Sequence, residues 1–95
     1  MNQIIEENYI STVKRNCITD ETTIQDFIDK IFEEAAELES EFISNGIIDK
    51  MELADIILVC LNFAKHYGID IEKELNKKIT INKNRIYDNN KRARP

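Results

Sequence analysis

The chain has 95 residues, enough for one domain with a modest core. Charged residues make up 33%, hydrophobic residues 42%, and there are 2 Gly and 1 Pro, which excludes a disordered or low-complexity chain and favours helices. The formal net charge of −5 argues against a nucleic-acid partner, since an acidic surface repels a phosphate backbone.

The N-terminal MNQIIEENYI carries early acids and no basic stretch, so no signal peptide is expected. Two cysteines, Cys17 and Cys60, are too few for a disulfide framework and fit no zinc spacing. A cytoplasmic protein with reduced thiols is the simplest expectation. Cys60 reads as a core residue and Cys17 as a free thiol. No apolar stretch is long enough to span a bilayer, so no membrane partner is expected.

Ile5, Tyr9 and Val13, with Ile10 beside them, predict a first helix from Ile4 to about Asn16. Cys17 to Glu21 reads as a linker. A second helix starts near Thr22, where Thr22 with Gln25, or Thr23 with Asp26, can form a capping box. Phe27, Ile31, Ala35, Leu38 and Phe42 make its apolar stripe, and Asn45-Gly46 stops it. A third helix starts at about Asp49, with Leu53, Ile56, Val59, Cys60, Phe63 and Tyr67 as its apolar residues. Tyr67-Gly68 ends it. Asp70 caps a fourth helix that carries Glu72 and Glu74 in its first turn and runs into the mid-80s. The expectation is one all-α domain over 1–88, an antiparallel four-helix unit, with a basic polar tail over 89–95.

Acids recur on the second and third helices. Glu34 and Glu37 are three apart, as are Glu52 and Asp55, so each pair shares a helix face. A helix advances about 100° per residue. Glu34, three after Ile31 and four before Leu38, therefore falls within an apolar stripe. Glu52, four before Ile56 and seven before Val59, falls near the middle of another. A carboxylate directed into a core costs several kcal/mol unless it is paired or binds a cation. No Lys or Arg on these helices is spaced to neutralise all four acids. Clustered carboxylate oxygens suit a hard cation, Mg²⁺ or Mn²⁺. Glu52 has a simpler reading as well, because Asp49-x-x-Glu52 is a capping box. Glu33, Glu39 and Glu41 read as a solvated face.

On the fourth helix Lys78, Asn82 and Arg85 fall at intervals of four and three, on one face. A cation, an amide and a guanidinium so placed suit phosphates and a sugar. An ordinary solvated face is the alternative. His66 lies on the side of the third helix that carries Asp55, although a histidine near a helix end is more often structural.

Glu34-x-x-Glu37, Glu52-x-x-Asp55 and Lys78-x-x-x-Asn82-x-x-Arg85 together resemble the MazG-like, all-α nucleoside triphosphate pyrophosphohydrolases, relatives of the dimeric dUTPases and dCTP pyrophosphatases. The resemblance covers roughly Thr22 to Tyr87. It implies a four-helix unit assembling as a homodimer or homotetramer. It implies Mg²⁺-dependent cleavage of a nucleoside triphosphate to monophosphate and pyrophosphate, a house-cleaning activity. It places Glu34, Glu37, Glu52 and Asp55 on the metal, one of these or Glu33 on the attacking water, and Lys78, Asn82 and Arg85 on phosphates and sugar. The sequence departs from many relatives after Arg85, where Ile86 stands in the place of an aromatic and Tyr87 follows. Asn8 and Tyr9 are candidates for a base pocket, with Tyr9 better read as core. Two other readings are a helical interaction module without catalysis, and a nucleotide binder without turnover.

Overall fold

The computed structural model describes residues 1–86; Tyr87 and the tail expected from Asn89 lie outside the described residues. The fold is all-α: α1 (Asn2–Lys14), α2 (Ile24–Asn45), α3 (Lys50–His66) and α4 (Ile71–Ile86). None of these helices is long and apolar enough to cross a membrane.

Helix ends follow local chemistry. At α1, Asn16 takes φ 62°, a left-handed value that Asn tolerates. The Asn16 N–H then bonds to the Val13 carbonyl and that of Cys17 to the Thr12 carbonyl, a Schellman closure. Thr23 and Asp26 form the capping box of α2: each side chain accepts from the other's backbone N–H, at 3.1 and 2.8 Å. Thr22 does other work, its hydroxyl accepting from the Thr19 N–H at 2.9 Å. Gly46, at φ 68°, ends α2. Gly68, at φ 66°, ends α3, with the Ile69 N–H on the Ala64 carbonyl. Asp70 caps α4 through the Lys73 N–H at 3.2 Å.

Packing is uneven. α2 lies against α3, α1 lies against α3, and α4 approaches α3 alone. Phe27 of α2 stacks on Phe63 of α3, centroids 4.9 Å apart and rings nearly parallel. His66 and Tyr67 close this aromatic group. The buried apolar side chains are Ile18, Phe27, Leu61 and Ala64. Ile18 comes from the segment expected to be only a linker.

Several expected core positions stay in solvent. Phe42, Leu53 and Tyr67 are exposed, as are Ala35 and Cys60. The reason is geometric. α3 is contacted by α1 and α2 on one side, whereas its apolar residues run around more of its circumference than those two helices cover. On α1, Ile10 and Val13 are exposed, while the polar Asn8 and Thr12 are half-buried against α3.

Candidate metal centre

The α2–α3 pair sets the site. Thr23 and Asp49 start the two helices, and the apolar contact around Phe27, Phe63 and Leu61 fixes their rotation. That rotation directs Glu34 inward, and it is 7% exposed.

Two overlapping carboxylate sets result. Glu33, Glu34 and Glu37 form one; Glu34, Glu52 and Asp55 form the other. Within each set one oxygen per residue lies within 4.8 Å of the others. Glu34 belongs to both. The five acids named from the sequence therefore fall in two adjoining sets joined through Glu34.

The capping alternative for Glu52 fails. Asp49 does cap α3, its carboxylate accepting from the N–H groups of Met51 and Glu52 at 3.1 Å each. The Glu52 side chain does not reach back. Its Oε1 is shielded from solvent and has no hydrogen-bond partner.

Two carboxylates in contact without a cation must share a proton. The hydrogen bond with Glu34, then burial, then the charges of Glu34 and Glu37 push the Glu52 carboxyl up to about 8. Glu34 moves the other way. Its bond with Glu52 and the ammonium of Lys30 hold it below the usual carboxylate range, against the opposing effect of burial. Lys30 stands 3.0 Å from Glu34 and 3.2 Å from Glu33, and its ammonium is raised chiefly by Glu34. Lys30, with Arg15 in the adjoining cleft, cannot balance five acids, so the cluster retains the chemistry of a hard-cation site.

A cleft of about 260 Å³ opens beside the acids. Glu34, Asp55, Lys30 and Arg15 line it, together with Asn8, Thr12 and Asn62. Asn8, Thr12 and Asn62 make a polar chain. Asn8 Nδ2 donates to Asn62 Oδ1 at 2.9 Å, and Asn62 Nδ2 donates to the Thr12 hydroxyl at 3.2 Å. Thr12 in turn donates to the Asn8 carbonyl at 2.7 Å. Asn62 is buried.

Other candidates fall elsewhere. His66 packs with aromatic rings, and its Nδ1 lies 2.8 Å from the Tyr9 hydroxyl. It belongs to neither carboxylate set. Tyr9 thus serves packing, while Asn8 lines the cleft. Lys78, Asn82 and Arg85 sit on α4, which does not pack against α2. Lys78 and Arg85 are exposed, and the shielded Asn82 Oδ1 has no partner. Nothing within the described residues brings this stripe to the acids.

Reading the sequence missed Lys30 and Asn62. Lys30 was legible as the i−4 neighbour of Glu34, the spacing of a helical ion pair. Asn62 was legible as a lone amide inside an apolar helix face, which must find partners if buried. Comparison of the chain with protein-family models, curated proteins and solved structures found no match.

Proposed function

We propose that this protein is a Mg²⁺-dependent nucleoside triphosphate pyrophosphohydrolase of the MazG-like kind, acting as a homodimer or homotetramer. One observation carries the reading. Glu52, one of whose oxygens is shielded and has no partner, stands against Glu34, the acid shared by the two carboxylate sets. A side chain costly to place there is explained by a cation that needs it.

Glu34, Glu37, Glu52 and Asp55 are the residues that would hold Mg²⁺, with Mn²⁺ as a substitute. Bound there, the metal would supply charge neutralisation at the phosphates and a more acidic water. One of these four acids, or Glu33 beside them, would orient the attacking water. The cleft walled by Asn8, Thr12 and Asn62 accepts the sugar and base, since its amides can hydrogen-bond a flat heterocycle. Lys78, Asn82 and Arg85 would grip the phosphates. Little covalent chemistry is required of the side chains; positioning and electrostatics lower the barrier.

Incubation with each canonical dNTP and NTP plus Mg²⁺, followed by product separation, tests the proposal. Monophosphate with pyrophosphate is the expected outcome. No turnover of any triphosphate, together with no Mg²⁺ binding by calorimetry, overturns it. The interaction-module reading draws on the exposed apolar residues of all four helices. Thermal stabilisation by millimolar Mg²⁺ separates the two, because such a module has no site through which Mg²⁺ would favour the folded state.

A further inference from the structure

The acid cleft continues beyond the carboxylates. A second cavity of about 180 Å³ adjoins it, and Thr12, Cys17, Lys30, Val59 and Asn62 line both. The two ends differ in chemistry. The far cavity is closed by Ile18 and Phe27, both buried. Its one carboxylate, Asp26, is taken up in the cap of α2 by the Thr23 N–H. The near end holds Glu34, Asp55 and Arg15, none of which lines the far cavity. Together they form one trough, apolar at one end and charged at the other. A nucleotide has that polarity, with a flat base at one end and phosphates at the other.

Arg15 stands at the rim of the charged end. It is the residue on which α1 closes, and the left-handed Asn16 turns the chain after it. Its Nε donates to the Ser11 carbonyl and its Nη2 to the Thr12 hydroxyl, each at 3.4 Å. Both acceptors are uncharged, and both bonds are long for an N–H donor. The same Thr12 hydroxyl accepts from the buried Asn62 at 3.2 Å, which ties the arginine to the side of the cleft. Among the described residues no carboxylate pairs with Arg15, whereas Lys30, the other cation lining the cleft, is paired with Glu33 and Glu34. A guanidinium offers five N–H donors in a planar fork, so most of its capacity for an anion is unspent. The neighbouring Lys14 faces an outer groove with Glu7 and Ile10 and does not line the cleft.

We propose that Arg15 is a phosphate-binding residue of this cleft, gripping the phosphates beyond the scissile one and so selecting triphosphates over monophosphates from within a single chain. The inference rests on the nucleotide reading of the site. With a base in the apolar cavity and the α-phosphate at the carboxylates and their cation, the β- and γ-phosphates run to the rim where Arg15 stands. A phosphate there replaces two long bonds to neutral acceptors with charge-assisted, bidentate ones. The exchange moves an exposed side chain and leaves the bonds of Asn62 with Asn8 and Thr12 in place.

Calorimetry in the presence of Mg²⁺ tests this, with the α,β-methylene analogues of the deoxynucleoside triphosphates, which cannot be cleaved between those phosphates, and with the monophosphates. The wild type is expected to bind at least one analogue. R15A should weaken that analogue about 10- to 100-fold, and the matching monophosphate by less than about twofold. R15K should fall between R15A and wild type, because it keeps the charge and loses the fork. K14A removes the same charge one residue away and should bind as the wild type does. Circular dichroism should show unchanged helix in all three variants. Unweakened binding by R15A, equal losses for triphosphate analogue and monophosphate, equal losses in R15A and K14A, or no binding by the wild type overturns the inference. Turnover separates it from the hydrolase reading. A protein that binds the analogue through Arg15 yet cleaves no triphosphate ends the hydrolase reading and leaves the phosphate site standing. Turnover with an unchanged KM in R15A does the reverse.

Discussion

The α2–α3 pair and α4 are built from similar material and end differently. Both are amphipathic, both begin with an aspartate or threonine cap, and both carry dense charge. The pair buries an aromatic stack and drives Glu34 into its seam, so its charges are forced into contact. α4 meets only α3, and Lys78 and Arg85 remain in solvent. The difference teaches that a charged residue gains unusual chemistry from the packing around it. Glu52 and Lys78 are equally ordinary as residue types. Only Glu52 has been pressed against a like charge and carries a strongly shifted proton affinity.

The contrast breaks first at the aromatic stack. Phe27→Ala removes the ring on Phe63 and should cost about 3–5 kcal/mol, read from urea denaturation. The carboxylate cluster should lose its Mg²⁺ affinity with it, because the helix rotation that gathers the acids is lost. A cost below about 1 kcal/mol would show that the pair is held by something else.

Glu52→Gln comes next. Near neutral pH the metal-free Glu52 is protonated, so Gln imitates its shape and its hydrogen bonding. Turnover should fall by at least about 100-fold while the helical spectrum is kept. The thermal shift caused by Mg²⁺ should disappear in the same variant. A variant that still responds to Mg²⁺ would move the cation away from Glu52.

Asn62→Ala sharpens the role of the cleft. It strands Asn8 and Thr12, at a cost of about 1–3 kcal/mol measured by thermal or denaturant unfolding. If these residues bind the sugar and base as proposed, the KM for triphosphate should rise more than kcat falls.

The pH dependence follows from the shared proton. Folded Glu52 is raised to about 8 from an ordinary value of 4.5. Between those values the folded chain keeps a proton that the unfolded chain has released. Stability of the metal-free protein therefore falls as pH rises across that window. Glu34, shifted down, acts in the opposite sense, and only below its ordinary value of 4.5. Mg²⁺ competes with the Glu52 proton, so the stabilisation by Mg²⁺ should grow from pH 6 to pH 8.5. Differential scanning fluorimetry with and without Mg²⁺ reads both trends, and Glu52→Gln should flatten them.

The smallest effect belongs to α4. Lys77 pairs with Glu74 at 3.3 Å on an exposed face. Lys77→Ala should change stability by no more than about 0.5 kcal/mol by thermal unfolding. A larger loss would show that this face of α4 is covered in the assembled protein.

Much of the fold was legible in order of residues. Thr23 and Asp26, Asp49, Asp70, Gly46 and Gly68 mark helix ends through bonds between near neighbours, so local sequence suffices to place them. Glu34, Glu37, Glu52 and Asp55 were legible by their spacing and by the cost of Glu52 on an apolar face, whereas Glu33 read as a solvated face and entered only through the resemblance. The exposure of Leu53, Phe42 and Cys60 was not legible, because an apolar residue on a helix states only that it can be buried. Ile18 was missed for the same reason in reverse: a short segment between helices has no periodicity to declare its inward side.

The sequence by itself determined four helices, their caps and stops, and two acidic pairs each on one helix face. These depend on interactions within a turn or two of the chain. Only the tertiary structure decided that Glu52 leaves its cap to meet Glu34, that Asn8, Thr12 and Asn62 join in one chain of hydrogen bonds, and that α4 stands apart from the acids. Those outcomes depend on how helices rotate against one another. That rotation is set by the fit of side chains distant in sequence, such as Phe27 on Phe63.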